Sequence, residues 1–318
     1  MMNKIYTELR KDKAYQKFEG KIFELKGYDV EDALGKVIPK NIEFMDIDTC
    51  GFSFILTDKG DVFSEIIFYK LEDSYILASK DDLFPLFVDS EGDFNIRDVS
   101  DELNLIQIEG KNSGEIAQQF YEYEISTLAF KNVTKAVYKD KEFIMARFGY
   151  SGEFGYQFIL NNNIVEQFIN DFLSIVPVYD DFVGDYVKFE VNHPVSDLYN
   201  GDANLFELGY AWNLDFTKEE FIGRAAILNK INETTTQSIV FSSLEKVQVN
   251  ESIYFDGHKI GQVYWVRDSL DENPKRNYLG MLQVEEYYAH SGLHFITSEG
   301  VEIETLSNPY TIPESWSK

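Results

Sequence analysis

The sequence predicts an α+β protein of two or three domains, and three observations carry that prediction. The first half alternates short strand-like and helix-like segments, whereas beyond residue 237 only short apolar runs remain, split by Asp-Gly, Ser-Gly and Glu-Gly pairs, the pattern of a small all-β domain. The length, 318 residues, exceeds what one domain usually spans. Apolar residues make up 44 % and aromatics 15 %, with 26 Phe and 20 Tyr, which is a globular composition able to bury a large core without staples.

Taken in order, residues 18–26 read as a strand and residues 30–37 as a short helix with Asp29 as its N-cap. Residues 51–56 and 62–69 are β-branched and aromatic runs on either side of Thr57-Asp58-Lys59-Gly60-Asp61, which is turn chemistry, so a hairpin is expected there. Residues 73–78 continue that sheet. Residues 81–87 and 112–123 read as helical, with a strand over 103–110 between them. A strand follows at 156–160. Ile164, Val165, Phe168, Ile169, Phe172 and Leu173 then form one stripe at helical spacing, read as core packing. A second short helix is expected over 219–229 and a polar linker over 232–237.

The formal charge of −26, from 55 acidic and 29 basic side chains, repels phosphate backbones and anionic headgroups and argues against nucleic-acid and membrane-surface partners. The one cysteine, Cys50, stands beside Phe52 and Phe54 and reads as a small buried hydrophobe. No apolar leader core is found in residues 1–13 and no run approaches the ~18 residues of a membrane span, so a cytoplasmic protein is expected. His290 and His294 are four apart but separated by Ser291-Gly292, which disfavours a metal-binding helix, and no metal site is expected. Nucleophile-elbow and phosphate-loop patterns are missing.

Carboxylates remain. On the strand over 62–69, Glu65 shares a face with Phe63, Ile67 and Tyr69, while Ser64 shares the other with Val62, Ile66 and Phe68. Partial burial there would raise a carboxyl pKa and suit it to proton transfer; an edge strand with Glu65 in water is the alternative. Arg147-Phe148-Gly149-Tyr150-Ser151-Gly152-Glu153-Phe154-Gly155-Tyr156-Gln157-Phe158 sets three glycines around Glu153. A carboxylate on such a turn can accept two parallel hydrogen bonds from adjacent N–H donors: the amino-pyrimidinone edge of a pterin, a guanine or a guanidinium. The alternative is a salt bridge to Arg147 that fixes the turn.

That segment resembles the Arg-x-Gly-Tyr-Thr-Gly-Glu-x-Gly-Tyr-Glu stretch of the glycine-cleavage T-protein (aminomethyltransferase) family, which binds tetrahydrofolate. The likeness extends over most of the chain: residues 18–34, the hairpin 51–77, Asp98-Val99-Ser100 with 105–110 (the family's Asp-Val-Ser … Gln-Gly-Pro segment), 187–190, 198–201, 207–212 and 220–227, all in family order. The resemblance implies a three-domain clover-leaf fold, with two interleaved α/β domains and a C-terminal β-barrel-like domain. The expected divisions are a discontinuous folate-binding domain over 1–50 and 140–231, a ferredoxin-like domain over 51–139 and a β domain over 238–318. It implies transfer of a one-carbon unit to or from tetrahydrofolate bound as cosubstrate, with Glu153 on the pterin, Tyr75, Tyr150 and Trp212 as flat walls, Lys188 offering positive charge, and Glu65 as the catalytic acid–base.

Departures from the family accompany the likeness. Its paired hairpin aspartates are Ser64-Glu65 here, and the arginine of its Leu-Arg-Leu-Glu is Lys188, which keeps the charge without the fork. Three functions follow as expectations: a folate-dependent one-carbon transferase with an unnamed donor, a folate-binding protein without transferase activity, or an aminomethyltransferase partnered by a lipoyl carrier protein.

Overall fold

The structure, a computed structural model, describes residues 2–88 and 90–317. In chain order the elements are α1 (Met2–Lys11), β1 (Ala14–Lys17), β2 (Lys21–Gly27), α2 (Val30–Val37), β3 (Thr49–Leu56), β4 (Val62–Lys70), β5 (Tyr75–Ser79), β6 (Phe94–Asp98), β7 (Leu103–Glu109), α3 (Gly114–Ala117), β8 (Val133–Tyr138), β9 (Lys141–Ala146), β10 (Gly155–Asn161), α4 (Asn162–Phe168), α5 (Asp181–Glu190), α6 (Ser196–Tyr199), α7 (Arg224–Glu233) and β11 (Thr236–Ser243) to β16. The last five strands are β12 (Ser252–Phe255), β13 (His258–Asp268), β14 (Tyr278–Glu285), β15 (His294–Thr297) and β16 (Glu302–Thr305). The chain divides into two compact units: Met1–Tyr6, Phe182–Trp212 and Leu228–Ile312 form one, and Thr7–Asp181, Asn213–Ile227 and Pro313–Lys318 the other.

The second unit holds two five-stranded sheets, ordered β3-β4-β5-β2-β6 and β1-β7-β10-β9-β8. Each is apolar on one face because its strands alternate in and out. Phe23, Leu25, Ile55, Ile66, Phe68 and Leu77 of the first sheet pack on Val30, Ala33, Leu34 and Val37 of α2. The second sheet packs Ile106, Ile108, Phe143, Phe158 and Leu160 against Ile164, Val165 and Phe168 of α4. That is the helical stripe the spacing predicts, and it runs on through a π-helical turn at Ile169–Leu173.

Several elements differ from expectation for local reasons. The helix expected over 81–87 is a single 3-10 turn at Phe84–Leu86, since Pro85 restricts the residue before it. The one over 112–123 is α3 followed by a 3-10 turn at Gln118–Phe120. The helix expected over 219–229 starts only at Arg224, because Gly223 takes φ +79°. Residues 232–237 are no linker: α7 runs to Glu233 and β11 begins at Thr236. Asp29 occupies the N-cap position of α2 without capping it; its carboxylate accepts the N–H of Asp93 at 2.7 Å. Helix α1 was not expected, although Tyr6, Leu9 and Arg10 are buried along it.

The first unit carries the β domain expected at the C-terminus. Six strands close a barrel in the order β11-β14-β13-β12-β15-β16, filled by Phe241, Ile253, Val263, Leu282, Phe295 and Ile303. Among the described residues no helix is long and apolar enough to cross a membrane.

Cys50 on β3 is fully buried, and burial pushes its thiol up to about 12. A thiolate is the reactive form, so a chromogenic thiol reagent at neutral pH is expected to label the protein only in denaturant. Rapid labelling of the native protein would contradict this placement.

Candidate ligand-binding face

The register of β3, β4 and β5 decides which side chains share a face. Phe54 lies opposite Glu65, Phe52 opposite Ile67 and Cys50 opposite Tyr69, so these six stand on the face turned away from α2. Ser64 falls on the helix-packed face, buried, with its Oγ 2.8 Å from that of Ser79. Glu65, half-buried, is therefore the carboxylate that this hairpin places on that face, among the buried Cys50, Phe52, Phe54, Ile67 and Tyr69.

In the other sheet, Gln107 lies opposite Gln157 and Glu109 opposite Gly155. These residues sit on the face away from the α4 core, and the two faces meet where the Tyr69 hydroxyl donates to Gln157 Oε1 at 2.7 Å. Gln107 Nε2 donates to the carbonyl of Phe148 at 2.9 Å. Gln107 Oε1 and Gln157 Nε2 are buried and make no hydrogen bond among the described residues. One acceptor and one donor are thus left over on directly paired residues.

Tyr150 completes the face. Its ring stands edge-on to Phe52 (centroids 6.2 Å apart) and to Phe148 (5.3 Å), and Phe148 stacks on Phe130. Burial pushes its phenol well above the ordinary value, and Tyr69, Glu65, Glu109 and Cys50 push it further. The phenol stays protonated and can donate.

The glycine segment folds as its composition predicts. Gly152 takes φ +77°. Gly149 and Gly155 approach so closely that a Cβ on either would come within 3.0 Å of the other's Cα. What pins this loop is Glu109 at the end of β7, which is fully buried. Its Oε2 accepts the N–H of Tyr150 (3.0 Å) and of Ser151 (2.7 Å) and the hydroxyl of Ser151, while Tyr179 donates to Oε1 at 3.4 Å. Burial outweighs these bonds and the charge of Arg10, leaving the Glu109 carboxyl above the usual carboxylate range.

Glu153 is held as well. Its side chain has no exposed surface. Oε1 pairs with Arg10 Nη1 at 3.3 Å and accepts the N–H of Glu314 at 2.9 Å; Oε2 accepts the N–H of Ser315 at 2.8 Å. The salt-bridge alternative with Arg147 is replaced by one with Arg10. Arg147 instead donates to the carbonyls of Leu128 (2.6 Å) and Ser126 (3.3 Å) and lies over the Phe154 ring. It lines a cleft of about 340 Å³ with Lys111, Phe154 and Tyr156, which neither Glu65 nor Tyr150 enters.

Of the six residues singled out in the sequence, Glu65 and Tyr150 share one face. Tyr75 does not: it pairs with Lys70, lies in the α2 core, and its hydroxyl donates to Glu31 at 2.7 Å. Burial first, then that carboxylate, holds its phenol far above the ordinary range. Lys188 and Trp212 belong to the first unit. There Lys188 Nζ lies 3.8 Å from Asp185, and the exposed Trp212 ring stands edge-on to His193. Glu109, Gln107 and Gln157 were missed. The signal for the first was available, since the family segment quoted above ends its strand in Gln-Gly where this chain has Glu109-Gly110.

The family model of the GCVT N-terminal domain matches residues 17–175, half of the chain. The chain belongs to the GCVT family. An aminomethyltransferase of Alkaliphilus metalliredigens is 23 % identical over 308 residues, covering 90 % of this chain and 83 % of that one. Another from Halothermothrix orenii is 25 % identical over 230 residues, covering 66 % and 62 %. The crystal structure of glycine cleavage system aminomethyltransferase T from Bartonella henselae superposes with a TM-score of 0.80 at 14 % identity, covering 98 % of this chain and 90 % of that one, which shows the fold. As a GCVT chain this one is divergent, and two of its departures lie on the adjacent strands β7 and β10, one opposite Gly155 and the other opposite Gln107. The family stretch quoted above ends in glutamate where Gln157 stands, and its glutamine is replaced by Glu109.

Proposed function

We propose that the protein is a tetrahydrofolate-dependent one-carbon transferase whose ring-binding wall is the face carrying Glu65, Phe52, Tyr150, Gln107 and Gln157, with the one-carbon donor left unassigned. The observation that carries this is the half-buried Glu65, set by the β3–β4 register beside Phe54 and Ile67 and close enough to Tyr150 to perturb its phenol. The residues fit a reduced pteridine: aromatic edges suit its flat faces, and the unmatched Gln107 acceptor and Gln157 donor suit its polar edge. Folate, when bound, supplies the nitrogen that carries the one-carbon unit. The chain's own part is to exclude water with Phe52 and Phe54, to orient the ring with Tyr150, and to hold or release a proton at Glu65.

Folate binding without catalysis is favoured by one observation. Where the family pairs two acids, this chain buries Ser64 on the opposite face and keeps a single carboxylate. Service to a lipoyl carrier protein remains the family's suggestion alone.

Calorimetric titration with 5-methyl- and 5-formyl-tetrahydrofolate tests the proposal. Saturable binding is expected, weaker by about tenfold or more in Tyr150→Ala, in line with the roughly 1–3 kcal/mol of one aromatic stacking contact. Failure of the intact protein to bind either folate would remove both readings.

A further inference from the structure

We propose that Glu153 is the seat of the chain's own C-terminal turn, and that this turn is a plug which any ligand with paired N–H donors must displace to reach the carboxylate. The fork expected for a ligand is present, but its donors are internal. Consecutive main-chain N–H groups, of Glu314 and Ser315, donate to different oxygens of Glu153 at 2.9 and 2.8 Å. They belong to a 3-10 turn at Glu314–Ser317, whose first N–H groups have no partner inside the turn and need an outside acceptor.

The seat is built from several directions. Arg10, itself buried, pairs with Glu153 and donates to the carbonyl of Ser151 at 2.7 Å, tying the carboxylate to the glycine loop. Pro313 and Ser315 are buried, and Lys111 Nζ lies 3.4 Å from Glu314 Oε2. With no surface of the Glu153 side chain exposed, an incoming ring has no route to its oxygens while the turn is seated. Hydrogen bonds to a charged acceptor are worth about 1.5–3 kcal/mol each, so the plug is firm yet within the reach of a ligand offering the same two donors.

The displacement half of this proposal rests on the folate reading, with the ring's paired N–H donors on Glu153 and its remaining polar edge on Gln107 and Gln157; the seating half does not. Ser315→Pro deletes one donor and leaves Glu153 and Arg10 unchanged, whereas Ser315→Ala keeps the N–H. Amide hydrogen exchange without ligand is expected to show Glu314 and Ser315 protected in the parent protein and in Ser315→Ala. Protection at Glu314 should fall by about 10- to 100-fold in Ser315→Pro, the factor carried by one hydrogen bond to a charged group. Exchange in the parent as fast as in an unstructured peptide would overturn the seat.

With 5-formyl-tetrahydrofolate, Ser315→Pro is expected to bind more tightly than the parent by a similar factor, and Ser315→Ala equally. Equal affinity in all three would overturn the plug. If none binds folate while protection follows the pattern above, the folate reading falls and the seat stands.

Discussion

Glu109→Ala is expected to lower stability by about 3 kcal/mol or more, the largest loss foreseen for any single change near the glycine loop. Its Oε2 takes two main-chain N–H groups and the Ser151 hydroxyl, in a place with no water to replace it. Each buried donor left without an acceptor costs about 1–3 kcal/mol. Glu109→Gln keeps an oxygen for the loop and is expected to stay within about 1.5 kcal/mol of the parent. The two variants also separate in pH dependence. The Glu109 carboxyl is raised in the folded protein, chiefly by burial, so the native state still holds that proton where the unfolded chain has lost it. Native protein then binds more protons than unfolded, and stability falls as pH rises from the ordinary carboxylate value of about 4.3 through the raised one, levelling off above it. Urea melts across this window should show that decline in the parent and its loss in Glu109→Gln. Parallel profiles for the two would mean that Glu109 titrates as a solvent carboxyl and does not pin the loop.

The elements that could be read from the sequence are those whose signal is local. The hairpin around residues 57–61, the stripe from Ile164 to Leu173 and the β-rich tail announce themselves through period and turn chemistry, and each is present. The alternation along β4 separated Glu65 from Ser64 before any coordinates did, because parity within one strand needs no partner. Tyr75 shows where such reasoning stops. Its face follows from pairing with Lys70 rather than Tyr69, and register between strands is not written in either strand alone. The surroundings of Glu153 were illegible for a related reason: its partners come from Arg10 and from residues 314 and 315, far away in sequence. Glu109 is one acid among 55, and only its place opposite Gly155 makes it the clamp of the glycine loop. Helix α1 left a trace that polarity masked, a buried stripe of Tyr6, Leu9 and Arg10 at helical spacing.

Glu65→Gln is expected to separate binding from chemistry. The amide has the shape of the carboxylate and leaves Phe54, Ile67 and Tyr150 where they are, so affinity for 5-formyl-tetrahydrofolate should stay within about threefold, less than 1 kcal/mol. It cannot take up and return a proton, and loss of a positioned acid–base group lowers rates by about 10²- to 10⁴-fold. Single-turnover transfer from methylene-charged folate, followed by the spectrum of the released folate, measures that rate. Glu65→Asp is expected to fall between, since withdrawing the carboxylate by one methylene displaces it by about 1 Å, enough to cost orders of magnitude in a proton transfer. Ser64→Ala supplies the contrast: it removes the hydroxyl that pairs with Ser79 and reaches the carbonyl of Glu65 at 3.2 Å, and should cost about 1 kcal/mol of stability with no change in rate. A transfer rate unaffected in Glu65→Gln would take the proton away from this strand altogether. A parent protein that binds folate tightly yet transfers no carbon with amine, ether or sulfonium donors would make the buried serine decisive, because a site that has given up one of two acids would then have kept the ligand and lost the reaction.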